Sequence, residues 1–363
     1  MRAGVGSGVQ LVTVAGRRPQ VLPSERPNVP ETSPSTAVLV AAPRIVSAAR
    51  VSVVVPVFNS RRFLPQTVPA LLAAVRQAGD AEVVFVDNGS TDGSYEFLLA
   101  LHDERVRVLR WEGRSIGGVR NFGARQATGD FIAFIDADCV IAPDYVESAL
   151  EALAWTGAAA TGCHVQIPAE PHWIEAAWHH THFVGRDRFV HYLNSGNFFV
   201  TRSAFEAVGG FDEALPTGED AELGQRMTDA GHRIYECRAV EAVHLGNPKS
   251  VRQYYRRSVW HALGMFGTVG WKHLDKPTAA TFAHLAATLA GVWLLATRAF
   301  PASLLPALAL QLLVPAATVA FRAAQTRRLG HAAPTLALYW LYYWARIQAL
   351  ALIAAGRSTR YRK

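Results

Sequence analysis

The residues with the clearest chemical potential are two carboxylates one residue apart. Phe131-Ile-Ala-Phe-Ile-Asp-Ala-Asp-Cys139 is a short apolar run, preceded by Gly129-Asp130, that leads into Asp136 and Asp138. Bounded this way, the run reads as a fully buried strand of a parallel sheet. Acids at the carboxyl end of such a strand lie where open α/β sheets bind ligands. Two hard oxygen donors with this spacing suit Mg2+ or Mn2+ carrying a phosphate-bearing substrate. The same pair can instead cap a following helix or form an Asx-turn, and on its own it does not decide between the two.

The preceding chain supplies the elements that would position these acids. Val51-Ser-Val-Val-Val-Pro-Val57 reads as a first strand, ended by Phe58-Asn59-Ser60 and followed by a helix over 61–78. A second strand over 82–86 runs into Asp87-Asn-Gly-Ser-Thr-Asp-Gly93, where Ser90, Thr91 and Asp92 are candidate caps for a helix over 95–101. A shorter strand over 106–109 follows, and Gly117-Gly-Val-Arg-Asn-Phe-Gly-Ala-Arg125 opens a helix ending at Thr128-Gly129. This alternation predicts an α/β fold whose parallel sheet has right-handed crossovers. Parallel strands bring their carboxyl ends to one edge, so Asn59, Asp87 and the Asp136/Asp138 pair are expected to converge. There is no G-x-G-x-x-G after the first strand and no G-x-x-x-x-G-K-[ST], which argues against a dinucleotide enzyme and a P-loop NTPase.

Taken together, Val53-Val-Val-Pro-Val-Phe-Asn59, Val86-Asp-Asn-Gly-Ser-Thr-Asp-Gly93, Arg120-Asn-Phe-Gly123 and Asp136-Ala-Asp138 resemble the family 2 glycosyltransferases of GT-A fold. Asn194-Ser-Gly-Asn-Phe-Phe-Val-Thr-Arg202 and Ala207-Val-Gly-Gly-Phe-Asp-Glu213 resemble that family's acceptor-side segment, and Thr217-Gly-Glu-Asp220 its carboxylate motif. The resemblance implies a Rossmann-like, mostly parallel sheet with flanking helices and an inverting transfer from a nucleoside diphosphate sugar, read as a UDP-sugar. It gives Asp87 the base, with Pro56, Val57, Phe58 and Asn59 lining it, and Arg120 the ribose or phosphate. Asp138 is expected at the Mg2+ or Mn2+, with Asp136 near the ribose or sharing the ion and His244 as a third metal or phosphate ligand. Asp220 is expected as general base, with Glu219 as a positioning or acceptor-binding acid. Acids at a helix start are also what the macrodipole favours. Gln253-Tyr-Tyr-Arg256-Arg257 partly matches the Q-x-x-R-W motif of processive synthases, with Arg257 where Trp is needed. That departure leaves Arg256 and Arg257 as phosphate or lipid-headgroup contacts.

Charge is distributed unevenly along the 363 residues. From Lys249 to Lys363 there are 15 Lys and Arg and one acid, Asp275, whereas the preceding 248 residues carry a net charge of −7. A basic tail interleaved with long apolar runs points to anionic membrane lipid, not nucleic acid. Residues 279–297 hold no Asp, Glu, Lys or Arg, 299–321 are likewise uncharged but carry Pro301, Pro306 and Pro315, and 332–355 are aromatic with Arg346 in the middle. Lys272 and Lys276 before the first segment, and Arg322, Arg327 and Arg328 after the second, predict a membrane hairpin with both ends cytoplasmic. A third full span would export Arg357, Arg360, Arg362 and Lys363, so that segment is expected to lie at the interface. Three complete spans and a buried helical subdomain are the alternatives.

The expected domains are a disordered leader over 1–49, a catalytic domain over 50–248, an amphipathic juxtamembrane linker over 249–278 and a hydrophobic helical membrane region over 279–363. No signal peptide is apparent in the leader. Cys139, Cys163 and Cys237 lack metal-ligand spacing and read as buried thiols in a reducing compartment. Trp178, His179, His180 and His182 fit no ligand pattern and read as an acceptor-lining or membrane-facing segment. The expected protein is a membrane-associated glycosyltransferase at the cytoplasmic face of the inner or plasma membrane, acting on a hydroxyl of a lipid-linked or cell-envelope glycan. A nucleotidyltransferase on a related sheet and an inactive nucleotide-sugar-binding scaffold are the competing readings.

Overall fold

A computed structural model describes residues 49–113, 115–182, 187–268, 276–298, 300–327 and 330–357. The leader over 1–48, together with His180 and His182 (side chains), Lys272, Asp275, Arg328, Arg360, Arg362 and Lys363, lies outside what is described. The first half alternates as its sequence pattern requires: β1 (Val51–Val57), α1 (Leu64–Ala78), β2 (Ala81–Asp87), α2 (Ser94–Leu99), β3 (Val106–Arg110), α3 (Ile116–Gln126) and β4 (Phe131–Ile135). After it come β5 (Cys139–Ile141), α4 (Tyr145–Thr156), β6 (Ala160–Gly162), α5 (Trp173–His182), β7 (Arg188–Val190), β8 (Asn197–Thr201), α6 (Arg202–Ala207), α7 (Glu219–Asp229), β9 (Ile234–Glu236) and β10 (Ala242–His244).

Eight strands form one sheet in the order β3-β2-β1-β4-β8-β6-β9-β7, and β5 pairs with β10 beside it. All seven residues of β1 are buried, because it lies between β2 and β4 with both faces covered. Val53, Val55 and Val57 pack on one face with α1 and α4, and Val54 packs on the other with Val119 and Ala124 of α3. The β-branched run therefore serves two cores in alternation.

β3, β2, β1 and β4 are mutually parallel, as the crossovers predict. β8 then runs antiparallel to β4, so the sheet is mixed. Antiparallel neighbours need no crossover helix, and this reversal brings the loop before β8 against the end of β4. Ile135 pairs with Asn197, and the Asp136 amide donates to Gly196 O at 3.3 Å. A Cβ on Gly196 would meet Asp136 Oδ2 at 2.7 Å, so this approach depends on a residue without a side chain.

Four helices complete the chain: α8 (Val251–Thr268), α9 (Lys276–Thr297), α10 (Leu304–Thr326) and α11 (Ala332–Ala354). At 22 and 23 residues, α9 and α10 are long and apolar enough to cross a membrane, and they expose Leu289, Trp293, Leu305, Leu308 and Leu313. α11 packs against α5, α8, α9 and α10. Its polar groups have protein partners: Arg346, 1 % exposed, donates to Thr281 Oγ1 at 2.8 Å and Thr278 Oγ1 at 2.9 Å and lies over the Phe266 ring. Thr335 Oγ1 donates to Ala177 O and Tyr254 Oη to Leu338 O, both at 3.1 Å. Of its aromatics, Tyr339 and Tyr343 are buried between helices, whereas Trp340 is exposed.

Candidate active site

At the carboxyl ends of β1 and β2, Asp87 is wholly buried. Its Oδ2 accepts from the amides of Gly89 and Ser90 at 3.1 Å each and lies 3.9 Å from Arg110 Nε, while its buried Oδ1 has no hydrogen-bond partner. A buried carboxylate oxygen with no donor is costly, and it marks a place where a ligand N–H would be welcome. Pro56 and Val57 are buried in β1, and Val57 packs in the core. Phe58 is 60 % exposed. Asn59, at φ 49, spends its Oδ1 on the Thr91 amide at 2.8 Å, and its own amide donates to Ser90 Oγ at 3.0 Å. Of the four residues expected to line a base, only Phe58 offers a free side-chain face, while Asn59 shapes the Asp87 loop.

Arg120 does not present its fork to an open site. Its guanidinium is 3 % exposed, with Nη1 donating to Glu219 Oε1 at 2.7 Å and Nη2 to Asp136 Oδ1 at 2.6 Å. Burial works against its charge, and Asp136 and Glu219 overcome this and raise its pKa. These bonds make a buried bridge from α3 to the end of β4 and α7, while Nε has no hydrogen-bond partner. Two acids distant in sequence face one another across it, and one cation between them removes the repulsion. Glu219 also accepts from Ser195 Oγ at 3.2 Å, in the loop before β8.

The other two acids escape that bridge. Asp220, half-buried in the first turn of α7, accepts from Asn194 Nδ2 at 3.3 Å and from the Ala221 amide at 2.8 Å. Burial, and after it the Glu219 charge, push its pKa up to about 6. Asp138 faces His244, whose Nε2 is 3.3 Å from Asp138 Oδ1. His244 is 6 % exposed and its Nδ1 is 2.9 Å from Asn247 Oδ1, while Asn247 Nδ2 donates to His244 O at 3.0 Å. That orientation of the amide has Nδ1–H donating to Asn247 Oδ1 and turns Nε2 towards the Asp138 carboxylate, so a ring nitrogen and a carboxylate stand side by side as candidate ligands. A Cβ on Gly246 would meet Asp138 Oδ2 at 1.9 Å, so the loop after β10 closes over the carboxylate only because position 246 is glycine.

Asp136 is therefore drawn to Arg120 and not to the Asp138–His244 pair. A third potential ligand comes from Cys139: with Asp138 and His244, its donor atom lies in a group spanning no more than 4.8 Å. Along the chain the cysteines have no metal-ligand spacing, but pairing of β5 with β10 supplies the proximity that sequence lacks. Asn247, three residues after His244, and the glycines at 196 and 246 were likewise not singled out from sequence. An i,i+3 Asn beside a candidate ligand histidine was the available signal.

Arg256, exposed on α8, and Arg257 line a cavity of about 550 Å3 with Arg62, Lys249, Gly246 and Asn247. Arg257 Nη1 donates to Gly246 O at 3.3 Å, tying α8 to the loop that covers Asp138. Lys249 is paired with Glu175 at 2.7 Å. The remaining cations leave a basic chamber adjoining the Asp138–His244 pair. His179 lies on α5, which packs on α11, and belongs to no metal group among the described residues.

Comparison with known proteins identifies the family and the fold. Residues 52–209 match the profile of glycosyl transferase family 2, and residues 131–347 match glycosyl transferase family group 2. Glycosyltransferase AglE of Haloferax volcanii is 27 % identical over 206 residues, 54 % of this chain and 67 % of that protein. Succinoglycan biosynthesis protein ExoA of Rhizobium meliloti is 28 % identical over 222 residues, 56 % of this chain and 66 % of its own length. The chain thus spans about two thirds of the length of each relative. A mannosyltransferase of Pyrobaculum calidifontis, solved with GDP-Man and Mn2+, superposes with a TM-score of 0.53 at 20 % identity, covering 83 % of this chain and 87 % of its own. That likeness establishes the shared fold. With a family profile matched across more than half its length, the chain belongs to the family 2 glycosyltransferases, and its mixed sheet is of the GT-A type.

Proposed function

We propose that the protein is an inverting, divalent-metal-dependent glycosyltransferase that moves a sugar from a nucleoside diphosphate donor to a hydroxyl of a lipid-linked or cell-envelope glycan. One observation carries this reading: Arg120 hydrogen-bonds Asp136 and Glu219, while among the described residues Asp138 faces His244 and Asp220 accepts from Asn194. Asp138 and His244 would hold Mg2+ or Mn2+, which supplies positive charge against the departing diphosphate. Asp220, ionised above about pH 6, is the general base. It takes the acceptor hydroxyl's proton as that oxygen bonds to the anomeric carbon and the bond from that carbon to the diphosphate oxygen breaks. Asp87 Oδ1 accepts from an N–H of the base, consistent with uridine, and Phe58 covers the base face. Arg256 and Arg257 face the diphosphate from α8 and disperse its charge. Asp136 acts through Arg120, and Glu219 keeps Asp220 poised.

A membrane-facing acceptor is supported by α9 and α10, which would anchor the enzyme at the cytoplasmic face where nucleotide sugars are met. The test is thermal shift of the full-length protein with a panel of nucleotide sugars and Mn2+, including UDP-glucose, UDP-N-acetylglucosamine and GDP-mannose, followed by transfer assays on Asp220→Asn. One stabilising donor, with transfer lost and donor binding retained in the variant, is expected. Absence of any donor response overturns the reading, and unchanged turnover in Asp220→Asn removes Asp220 as the base.

A further inference from the structure

Resting on that metal reading, we propose that Cys139 is a third, ion-selective ligand: thiophilic borderline ions such as Zn2+ and Co2+ recruit its sulfur at the Asp138–His244 pair, whereas Mg2+ and Mn2+ do not. Three observations carry it. Cys139 and His244 are directly opposed in the antiparallel β5–β10 ladder, so their side chains leave the same face of the ribbon. Asp138, Cys139 and His244 each offer a donor atom within 4.8 Å of the others. The histidine ring is held by Asn247 with Nε2 turned to Asp138, 3.3 Å from Oδ1.

The donor set decides the consequence. One carboxylate, one imidazole and one thiolate are the ligands of a tetrahedral zinc centre, leaving a fourth position open. Hard ions that favour oxygen gain nothing from sulfur and would keep to Asp138, His244, donor phosphate and water. Zinc ligands about 2.0 to 2.3 Å from the metal stand roughly 3.5 Å apart, so the three atoms need to close only modestly. The thiol gives up its proton to solvent as the sulfur–metal bond forms. Cys139 is wholly buried, and Zn2+ held by its sulfur would compete with Mn2+ for Asp138 and His244.

The experiment is Co2+ titration of the full-length protein, read by near-ultraviolet absorption, with parallel Zn2+ and Mn2+ affinities by competition and by Mn2+ electron spin resonance. Expected are a sulfur-to-cobalt charge-transfer band in the native protein, its loss in Cys139→Ser and its persistence in Cys163→Ser. Zn2+ affinity should fall at least about tenfold in Cys139→Ser, with Mn2+ affinity held within about twofold. Cys139→Ala, judged by the same Mn2+ signal, guards against a folding defect. Mn2+ binding without any charge-transfer band, or Zn2+ affinity unchanged in both variants, overturns the ligand role while leaving the metal reading intact. Failure of every ion to bind, with or without a nucleotide sugar, overturns both.

Discussion

Among Asp136, Asp138, Glu219 and Asp220, a single guanidinium divides the work, because Arg120 pairs with Asp136 and Glu219. Removing Arg120 would leave Asp136 and Glu219 buried and unpaired. Arg120→Met is therefore expected to destabilise the fold by about 3–5 kcal/mol, read by chemical denaturation, and Arg120→Lys to recover only part of it, because one ammonium cannot reproduce a two-armed fork. Asp220 is the opposite case, an acid made basic by its surroundings. With its pKa raised to about 6, kcat/KM is expected to climb with pH through that value and then level off, with no such acid limb in Asp220→Asn. The same shift has a stability cost of known sign. Because the folded state holds this proton more tightly than the unfolded chain, the contribution is full below the ordinary value of 3.8 and is lost as pH rises through about 6. Asp220→Asn should consequently melt higher than the native protein at pH 7.5 while failing to transfer sugar.

At the scale of elements, glycines and strand pairings do the positioning. The loop after β10 approaches Asp138 so closely that a methyl group at 246 would collide with the carboxylate. Gly246→Ala is expected to weaken Mn2+ binding at least about tenfold with little loss of secondary structure, since the loop can retreat into solvent while the ion site cannot follow. α8 is tied into the same region from the other side. A Cβ on Gly264 would meet Thr217 Cγ2 at 1.7 Å, just ahead of Glu219 and Asp220. The bounds of β1, β2 and β4 were legible from β-branched runs and turn formers because those strands are buried on both faces, whereas the edge strand β3 is only half-buried. Helix starts were less so: α1 begins at Leu64 and not at 61, and α2 starts after Gly93 with no side-chain cap. Asp92, one of the expected caps, instead bonds the amides of Arg61 and Ser94 and holds α1 to α2.

For the whole molecule, the helical tail is joined to the catalytic sheet instead of hanging from it. α11 bonds α5 and α8 through Thr335 and Leu338 and holds α9 and α10 through Arg346 and Tyr343. Truncation after residue 268 would uncover Ile174, Ala177 and Val259, which pack there. The truncated chain is expected to aggregate or bind a hydrophobic dye in gel filtration, whereas a domain with an independent tail would stay monomeric and soluble. The native protein is expected in the membrane fraction after alkaline carbonate extraction, given the apolar surfaces of α9 and α10.

The linear sequence determined the alternation of strands and helices, the family to which it belongs, the acids at the strand ends and the two long apolar segments. Each is a local property: periodicity, turn chemistry or a run of residues read in order. Tertiary structure alone decided which acid meets which cation. Arg120 turned out to be enclosed by Asp136 and Glu219, and Asp138 to face His244 over a gap that β5–β10 pairing closes. Sequence could list these charges but not their distances, because electrostatic partnership depends on separation and burial. For the same reason the sequence places Arg346 in the middle of an apolar segment without showing that Thr278 and Thr281 of a neighbouring helix accept from its guanidinium.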